Sequence, residues 1–263
     1  MHIHSRIPGI VLAALKGGAG KTFLSVGIVA ALRRRGLNLS VFKKGPDYID
    51  AGWLGLAAAE SCYNLDPYLF ERDTVLRSFV KRSLGKDAAI VEGNRGLFDG
   101  VDSAGSFSTA ELAKTLKTPV VLILETTKMT RTAAALVLGC KALDPEVDLR
   151  AVILNRVGGT RHERVLTQAI EDATQVPVIG SVSKLSLDNF PQRHLGLLPL
   201  QEHPGAMDFV AEASAVAEQS VDLDRLMEVA RNAGELHLSS HYDSHERSSA
   251  RDFQGIRVGV IKD

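Results

Sequence analysis

Short apolar runs alternate with amphipathic stretches along most of the chain. The apolar runs, which predict buried strands, lie at residues 10–14, 39–42, 88–92, 119–124, 151–155 and 178–180. The amphipathic stretches, which predict helices, lie at residues 22–35, 109–116, 130–142 and 162–174. Strands that alternate with helices are typical of right-handed βαβ units, whose strands run parallel and are covered on both faces. We therefore predict an α/β fold with a mostly parallel sheet and helices on both faces.

The pattern changes after about residue 235. Residues 237–254 are polar and rich in serine, with no apolar periodicity, which is typical of a linker. Residues 255–263 are apolar again and predict a further strand. Periodicity alone leaves two interpretations of that strand open: an edge strand of the main sheet, or the start of a second domain.

Composition excludes several classes of protein. Of 263 residues, 45% are hydrophobic, and 31 basic residues balance 31 acidic ones, so the chain is not typical of a disordered protein. Zero net charge gives no general attraction to nucleic acid. The apolar runs are far shorter than the roughly 18 residues that span a bilayer, and no secretory signal opens the chain. We expect a cytoplasmic protein that binds neither nucleic acid nor membrane.

The two cysteines are too few for a disulfide framework or a cysteine-rich zinc site. Cys140 lies on the apolar side of a predicted helix, so we expect it in the core. Cys62 is expected in a loop, and no role is assigned to it.

The strongest local motif is a glycine-rich loop between the first strand and the first helix. It comprises Lys16, Gly17, Gly18, Ala19, Gly20, Lys21 and Thr22. In this position backbone N–H groups turn inward around phosphate oxygens, Lys21 reaches the β- and γ-phosphates, and Thr22 offers a hydroxyl to Mg²⁺. A plain strand-to-helix turn without a ligand is the alternative, and the three glycines followed by Lys-Thr argue against it. The loop predicts a P-loop NTPase-type fold.

Leu15 stands where the usual phosphate-loop pattern has glycine. The string that remains resembles the deviant Walker A loop of dimerising ATPases, which include partition proteins and the nitrogenase iron protein. In those families the first lysine, here Lys16, contacts the nucleotide across a dimer interface. The resemblance implies a homodimer.

Acidic residues follow two of the predicted strands. Asp47 comes after the strand at 39–42, Glu92 ends the strand at 88–92, and Asp99 follows seven residues later. Because the carboxyl ends of parallel strands share one edge of a sheet, we expect these side chains beside the phosphate loop. Glu92 ends an apolar strand and cannot be buried cheaply without a partner, which a Mg²⁺ ion would supply. Turn formation remains the alternative for Asp47 and Asp99.

Several strings together resemble the cobyrinic acid a,c-diamide synthase family. They lie at residues 42–50 (Phe-Lys-Lys-Gly-Pro-Asp-Tyr-Ile-Asp), 64–67, 91–100, 108–114, 152–158 and 193–197. The resemblance runs in order from about residue 8 to 204. It implies that ATP and glutamine are used to amidate acetate side chains of a tetrapyrrole, through an acyl phosphate. It also implies three segments: a synthetase domain at 8–235, a linker at 236–254, and at 255–263 the first strand of a glutaminase domain that supplies ammonia.

The resemblance also implies roles for individual residues. Thr22, Asp47 and Glu92 would hold Mg²⁺, and Lys16, Lys21 and Lys43 would neutralise phosphate or substrate charge. Tyr48 and Asp99 would place the reacting carboxylate or the ammonia. Asn155 would contact adenine through its amide, although a strand-end turn residue is an equal alternative from the pattern.

Two departures leave the substrate open. The chain has Leu15-Lys16 and Asn94-Arg95 where the family more often has smaller residues, so cobyrinate, nickel-sirohydrochlorin and sirohaem all remain candidates. Two other functions also remain. A partition- or assembly-type ATPase is favoured by Lys16 but does not need the string at 45–50. A dethiobiotin synthetase-like ligase would need neither the linker nor the trailing strand.

Overall fold

A computed structural model of the chain describes residues 3–184, 192–193 and 196–238. Its strands are β1 (Ile3–Arg6), β2 (Gly9–Ala14), β3 (Leu39–Lys44), β4 (Cys62–Leu65), β5 (Ala88–Glu92), β6 (Val120–Glu125), β7 (Leu149–Val157), β8 (Val178–Ser183), β9 (Gln192–Arg193), β10 (Gly196–Leu197) and β11 (Glu235–Leu238). Its helices are α1 (Lys21–Arg34), α2 (Tyr48–Ala58), α3 (Arg72–Ser83), α4 (Thr109–Leu116), α5 (Thr132–Leu143), α6 (Thr160–Thr174), α7 (Ala206–Ser220) and α8 (Leu223–Arg231), with a 3₁₀ turn at Leu200–Glu202.

Seven strands form one parallel sheet in the order β4-β3-β5-β2-β6-β7-β8. The six strands predicted from the apolar runs between residues 10 and 180 are all part of it. Since β5 lies between β2 and β3, Glu92 is in register with Leu12 on one side and with Lys43 on the other. The α/β prediction is confirmed, and the register brings residues far apart in sequence to one edge.

The sheet is covered on both faces, as predicted. In β2, Val11 and Ala13 pack into a core with α3, α4, α5 and α6, whereas Ile10 and Leu12 pack into a second core with α1, α2, α7 and α8. All four side chains are buried. Alternate residues of a strand point to opposite faces, so a continuous apolar run is what a sheet buried on both sides requires.

The segment between β3 and β5 contains three elements that the pattern did not predict: α2, β4 and α3. The expectation that Cys62 lies in a loop is wrong, because Cys62 begins β4 and pairs with Val41 of β3. Burial raises the pKa of its thiol to about 12. Cys140 is buried in the core as expected, and burial raises its pKa to about 11.

A two-stranded antiparallel ribbon joins the two ends of the described chain. In it, Ile3 of β1 pairs with Leu238 of β11. Strand β11 covers residues 235–238, so regular structure continues three residues beyond the predicted linker boundary. The rest of the predicted linker and the predicted strand at 255–263 lie outside the described residues. Within the described ranges, no helix combines the length and apolar character needed to cross a bilayer.

Candidate functional site

The glycine-rich loop leaves β2 and enters α1 at the carboxyl edge of the sheet. Gly18 and Gly20 have φ values of +70° and +87°, a left-handed conformation that L side chains rarely adopt. A Cβ atom built on Gly18 would meet no atom of the described residues within 4 Å. Residue Gly20 caps α1 without a side-chain hydrogen bond, which leaves the first N–H groups of the helix available to an anion.

Lys21 is buried beneath this loop. Its Nζ donates to the carbonyl oxygen of Arg95 at 2.8 Å, and burial lowers the pKa of its ammonium group. The segment after β5 lies against the loop, since the N–H of Leu97 donates to the Ala14 carbonyl at 2.7 Å. The lysine is therefore held at the junction of the loop and the β5 end.

Glu92 is fully buried at the end of β5. Its Oε1 accepts hydrogen bonds from the Thr22 hydroxyl at 2.8 Å and from Lys43 Nζ at 2.9 Å. Its Oε2 is buried and has no hydrogen-bond partner among the described residues. Burial raises the pKa of Glu92, against the opposing effect of the Lys43 charge. A buried carboxylate oxygen without a partner is costly and indicates a cation that belongs there.

Lys43 uses all three protons of its ammonium group. They are donated to Asp50 Oδ2 at 2.7 Å, Glu92 Oε1 at 2.9 Å and the Gly93 carbonyl at 3.2 Å. Burial alone would lower its pKa, but the charges of Glu92 and Asp50 outweigh burial and raise it. We call this group of three side chains the Lys43 cluster. The cluster comprises Lys43, Glu92 and Asp50, and it holds one ammonium group between two carboxylates at the carboxyl edge.

Asp50 is the site residue that the sequence analysis missed. It was quoted within the string at 42–50 but was given no role. Asp50 lies in the first turn of α2, three residues after the capping residue Asp47, so both carboxylates lie near the start of one helix. A prediction of α2 would have identified it.

Asp47 caps a helix beside the Lys43 cluster, which supports the turn interpretation, and its magnesium-binding role stays a prediction. Its Oδ1 accepts from the N–H of Asp50 at 3.0 Å and caps α2, while its Oδ2 lies 3.9 Å from Lys43 Nζ. Burial raises the pKa of Asp47, with the nearby Asp50 charge adding to the effect. Asp47 and Glu92 therefore face the same ammonium group at the same edge of the sheet.

The donor atoms here fit a small, hard cation. The Thr22 hydroxyl and the Asp47 and Glu92 carboxylates supply oxygen, and the orphaned Oε2 of Glu92 marks where a positive charge is missing. Among the described residues, no three His, Cys, Asp or Glu side chains converge into a complete metal cage. This suits Mg²⁺, which usually binds one or two carboxylates and completes its shell with water and substrate phosphates.

Tyr48 and Asp99 lie on the same edge but outside the Lys43 cluster. Tyr48 begins α2 and is 71% exposed. Asp99 Oδ2 accepts from the Gly96 N–H at 3.0 Å, so Asp99 stabilises the turn that packs against Leu15. The turn interpretation of Asp99 is supported, and the substrate-placing roles of both residues stay predictions.

Asn155 supports the phosphate loop from β7, two strands away from β2 in the sheet. Its Nδ2 donates to the Ala19 carbonyl at 2.8 Å, and its Oδ1 accepts from the Arg156 N–H at 3.0 Å. A Cβ atom at Gly20 would overlap this amide, so the glycine is required by close packing as well as by its φ. The adenine contact expected of Asn155 stays a prediction.

Lys16 pairs within its own chain. Its Nζ lies 2.8 Å from Glu125 Oε2, and 61% of the lysine side chain is exposed. Burial raises the pKa of Glu125, but the hydrogen bonds from Lys16 and Thr127 outweigh it and lower the pKa to about 2. The contact across a dimer interface that was expected of Lys16 stays a prediction.

A broad groove of about 850 Å³ lies at the opposite edge of the sheet, near the starts of β7 and β8. Charged groups in its wall already have partners: Arg150 pairs with Asp148, and Lys141 donates to the Thr174 carbonyl at 2.8 Å. Open α/β sheets bind ligands at the carboxyl edge. The groove is therefore not assigned to the site.

Sequence relatives cover nearly the whole chain. Cobyrinate a,c-diamide synthase of Magnetococcus marinus is 43% identical over 233 residues, which are 89% of this chain and 50% of that protein. Hydrogenobyrinate a,c-diamide synthase of Streptomyces coelicolor is 43% identical over 234 residues, 88% of this chain and 48% of that protein. The chain thus spans about half the length of these curated relatives.

A similarity to a solved structure adds no argument of its own. Chloroplast FtsY from Physcomitrella patens matches with a TM-score of 0.49 and 15% identity, over 80% of this chain and 66% of that chain.

The family described as the CobQ/CobB/MinD/ParA nucleotide binding domain matches residues 10–197. The resemblance inferred from the motifs is confirmed, and the chain belongs to this CbiA family of nucleotide-binding domains.

Proposed function

We propose that this chain is the ATP-dependent part of a ligase that amidates acetate carboxylates of a tetrapyrrole. The observation that carries the proposal is the hydrogen bonding of Glu92. Its Oε1 accepts from Thr22 of the phosphate loop and from Lys43, while its Oε2 has no partner among the described residues. One edge of the sheet thus combines the glycine-rich loop, a carboxylate oxygen that could accept a cation and a buried lysine held between two carboxylates. The names of the relatives support a corrin-type substrate, cobyrinate or hydrogenobyrinate.

The phosphate loop and Lys21 would bind the β- and γ-phosphates of ATP. Thr22, Asp47 and Glu92 would hold Mg²⁺, which neutralises charge on the transferred phosphoryl group. Asp50 accepts a hydrogen bond from Lys43 and so positions the lysine ammonium. Asn155 fixes the loop from behind through its bond to Ala19.

The reaction has two steps, because a carboxylate does not react directly with ammonia. A carboxylate oxygen of the substrate attacks the γ-phosphorus of ATP, the bond to the β,γ-bridging oxygen breaks, and ADP leaves. Ammonia then attacks the acyl carbon, the C–O bond to phosphate breaks, phosphate leaves, and the nitrogen loses a proton to solvent. Positioning and charge neutralisation provide most of the catalysis.

We also propose that glutamine supplies the ammonia through a glutaminase domain, whose first strand is 255–263, and that the linker to it begins after β11 and ends at residue 254. The curated relatives are about twice as long as the matched region, which is consistent with such an arrangement. A homodimer remains part of the proposal. The pair between Lys16 and Glu125 would have to open before Lys16 could reach a second subunit.

The test is mass spectrometry of tetrapyrroles incubated with the full-length protein, ATP, Mg²⁺ and either glutamine or ammonium. We expect one or two replacements of a carboxylate by an amide on cobyrinate, each accompanied by ADP. Nickel-sirohydrochlorin and sirohaem are run in parallel to identify the substrate. ATP hydrolysis that proceeds without any amide product on all three would contradict the proposal and favour an ATPase switch.

Lys21→Ala tests the nucleotide site separately. Lys21 is buried and lies between the phosphate loop and Arg95, so its loss should lower ATP affinity by at least about a hundredfold, measured by calorimetry. Lys86→Ala is the matched control, because Lys86 pairs with Glu60 on the surface before β5. Unchanged ATP affinity in Lys21→Ala would reject the assignment of the phosphate loop.

A further inference from the structure

Exposed apolar side chains gather beside the candidate site. Tyr68, Leu69 and Phe70 follow β4, while Val101 and Phe107 lie in the segment after β5; all five are exposed. The rings of Tyr68 and Phe107 pack edge to face, with centroids 5.5 Å apart. We call these five residues the aromatic patch. Clustered exposed apolar side chains on one edge are typical of a binding surface.

Hydrogen bonds join the segments that carry the aromatic patch to the residues at the carboxyl edge of the sheet. Asn64 donates to the carbonyls of Gly45 and Asp47, and the Gly45 N–H donates to the Leu65 carbonyl at 3.0 Å. The segment carrying Tyr68 is thus fixed against the turn between Lys43 and Asp47. On the other side, Thr109 bonds to Asn94, two residues after Glu92.

The backbone holds Phe107 in place at some cost. Its φ is +60°, a conformation that is unfavourable for a bulky side chain. Even so, 38% of Phe107 and 65% of Tyr68 remain exposed. A strained residue that presents its ring to solvent contributes little to the core, so its position needs a reason outside the core.

Two basic side chains lie on the same edge without ion-pair partners. Arg95 is exposed and Lys44 is half-buried, and no carboxylate in the described part of the chain lies within ion-pair distance of either. Burial chiefly lowers the pKa of Lys44, and the Arg95 charge contributes to the lowering while Asp66 opposes it. Both cations are therefore available to an anionic ligand.

We infer that Tyr68 and Phe107 form the surface on which one face of the tetrapyrrole ring packs, with Arg95 and Lys44 binding carboxylates at the rim of the ring. The inference rests on the proposed function and identifies residues that determine its substrate specificity. A flat macrocycle with apolar faces and an anionic rim matches an aromatic surface bordered by unpaired cations. Such placement would bring one acetate of the rim toward the phosphate loop.

The experiment is calorimetric titration of cobyrinate into the full-length protein and its variants, with nucleotide and Mg²⁺ present. Tyr68→Ala with Phe107→Ala should weaken binding at least about tenfold at any salt concentration, because the contact is apolar. Arg95→Ala should weaken it in low salt and much less in high salt. Leu84→Ala is the control, since Leu84 is 63% exposed but lies at the opposite edge, after α3.

Kinetics separate binding from chemistry. The double variant should raise KM for cobyrinate with kcat changed less than about threefold, because neither ring touches the reacting atoms. A corrin whose carboxylates are all amidated should keep its dependence on the two rings and lose its dependence on Arg95. Thermal unfolding of each variant checks that the fold is retained.

The outcomes distinguish the inference from the function on which it rests. If the natural protein binds and amidates cobyrinate and the double variant does so with unchanged KM, the inference is wrong and the proposed function stands. If that variant instead loses self-association measured by sedimentation, the aromatic patch is a subunit interface. If the natural protein binds none of the three tetrapyrroles, both proposals are overturned.

Discussion

Two lysine–carboxylate groups lie at the same edge of the sheet, and they differ in what remains unsatisfied. In the Lys43 cluster the lysine is almost fully buried, and one Glu92 oxygen has no partner within the part of the chain that the structure describes. In the other pair, Lys16 is mostly exposed, and both oxygens of Glu125 accept hydrogen bonds, from Lys16 and Thr127.

The two groups therefore differ in burial of the lysine and in how many carboxylate oxygens accept a hydrogen bond. A buried carboxylate oxygen without a donor can accept a cation, whereas each oxygen of Glu125 already accepts one hydrogen bond. Charges in the interior also interact more strongly than charges screened by water. The Lys43 cluster should therefore respond strongly to substitution, and the Lys16 pair weakly.

The largest effect is expected for Lys43→Met. It removes the cation between Glu92 and Asp50 and leaves two carboxylates near each other without compensation, so the free energy of unfolding should fall by about 3–5 kcal/mol. Urea unfolding measures the loss. Adding Glu92→Gln to Lys43→Met should restore much of it, because the buried charge is then gone. A loss below about 1 kcal/mol in the single variant would remove the contrast with Lys16.

Asp50→Asn should have an intermediate effect. The amide oxygen can still accept from Lys43, but the charge that strengthens this 2.7 Å bond is lost, so we expect about 1–2 kcal/mol of destabilisation in urea. Asp47→Asn is the matched control, because asparagine caps a helix as well as aspartate and Asp47 lies 3.9 Å from Lys43. Equal losses in both variants would show that Asp50 has no special role in positioning Lys43.

Glu125→Gln should have the smallest effect, about 1 kcal/mol or less near pH 7, because Lys16 is mostly exposed and solvent screens the pair, so the stabilisation falls below what the lowered pKa alone implies. The pKa of Glu125 is lowered to about 2 from its ordinary value of 4.5. Its charge therefore stabilises the fold above about pH 4.5, and that contribution is lost as the pH falls through about 2. The difference in the free energy of unfolding between Glu125→Gln and the natural protein, measured by urea titration, should therefore shrink as the pH falls from about 4.5 to about 2. Lys16→Met should lower the free energy of unfolding by a similar amount near pH 7. A much larger loss would show that the pair between Lys16 and Glu125 stabilises the fold as strongly as the Lys43 cluster does.

Much of the sheet and part of the site could be predicted from the sequence. The apolar runs identified six strands because a strand buried on both faces is apolar at most of its positions. Glu92 was expected beside the phosphate loop because parallel strands end at one edge, and its bond to Thr22 confirms the placement. The segment at 48–58 was not predicted as a helix. Gly52 and Gly55 weaken its helical signal, although Gly55 is required by the close approach of Glu60.

What the sequence alone determined is the local chemistry: the strand–loop–helix phosphate motif and the strings that assign the chain to its family. Only the tertiary structure decided how these groups meet. The insertion of β5 between β2 and β3 places Glu92 in register with Lys43, and the start of α2 adds Asp50. The contact between Tyr68 and Phe107 likewise joins segments that are far apart in the sequence. Strand order and loop packing depend on contacts over the whole chain, which no local pattern encodes.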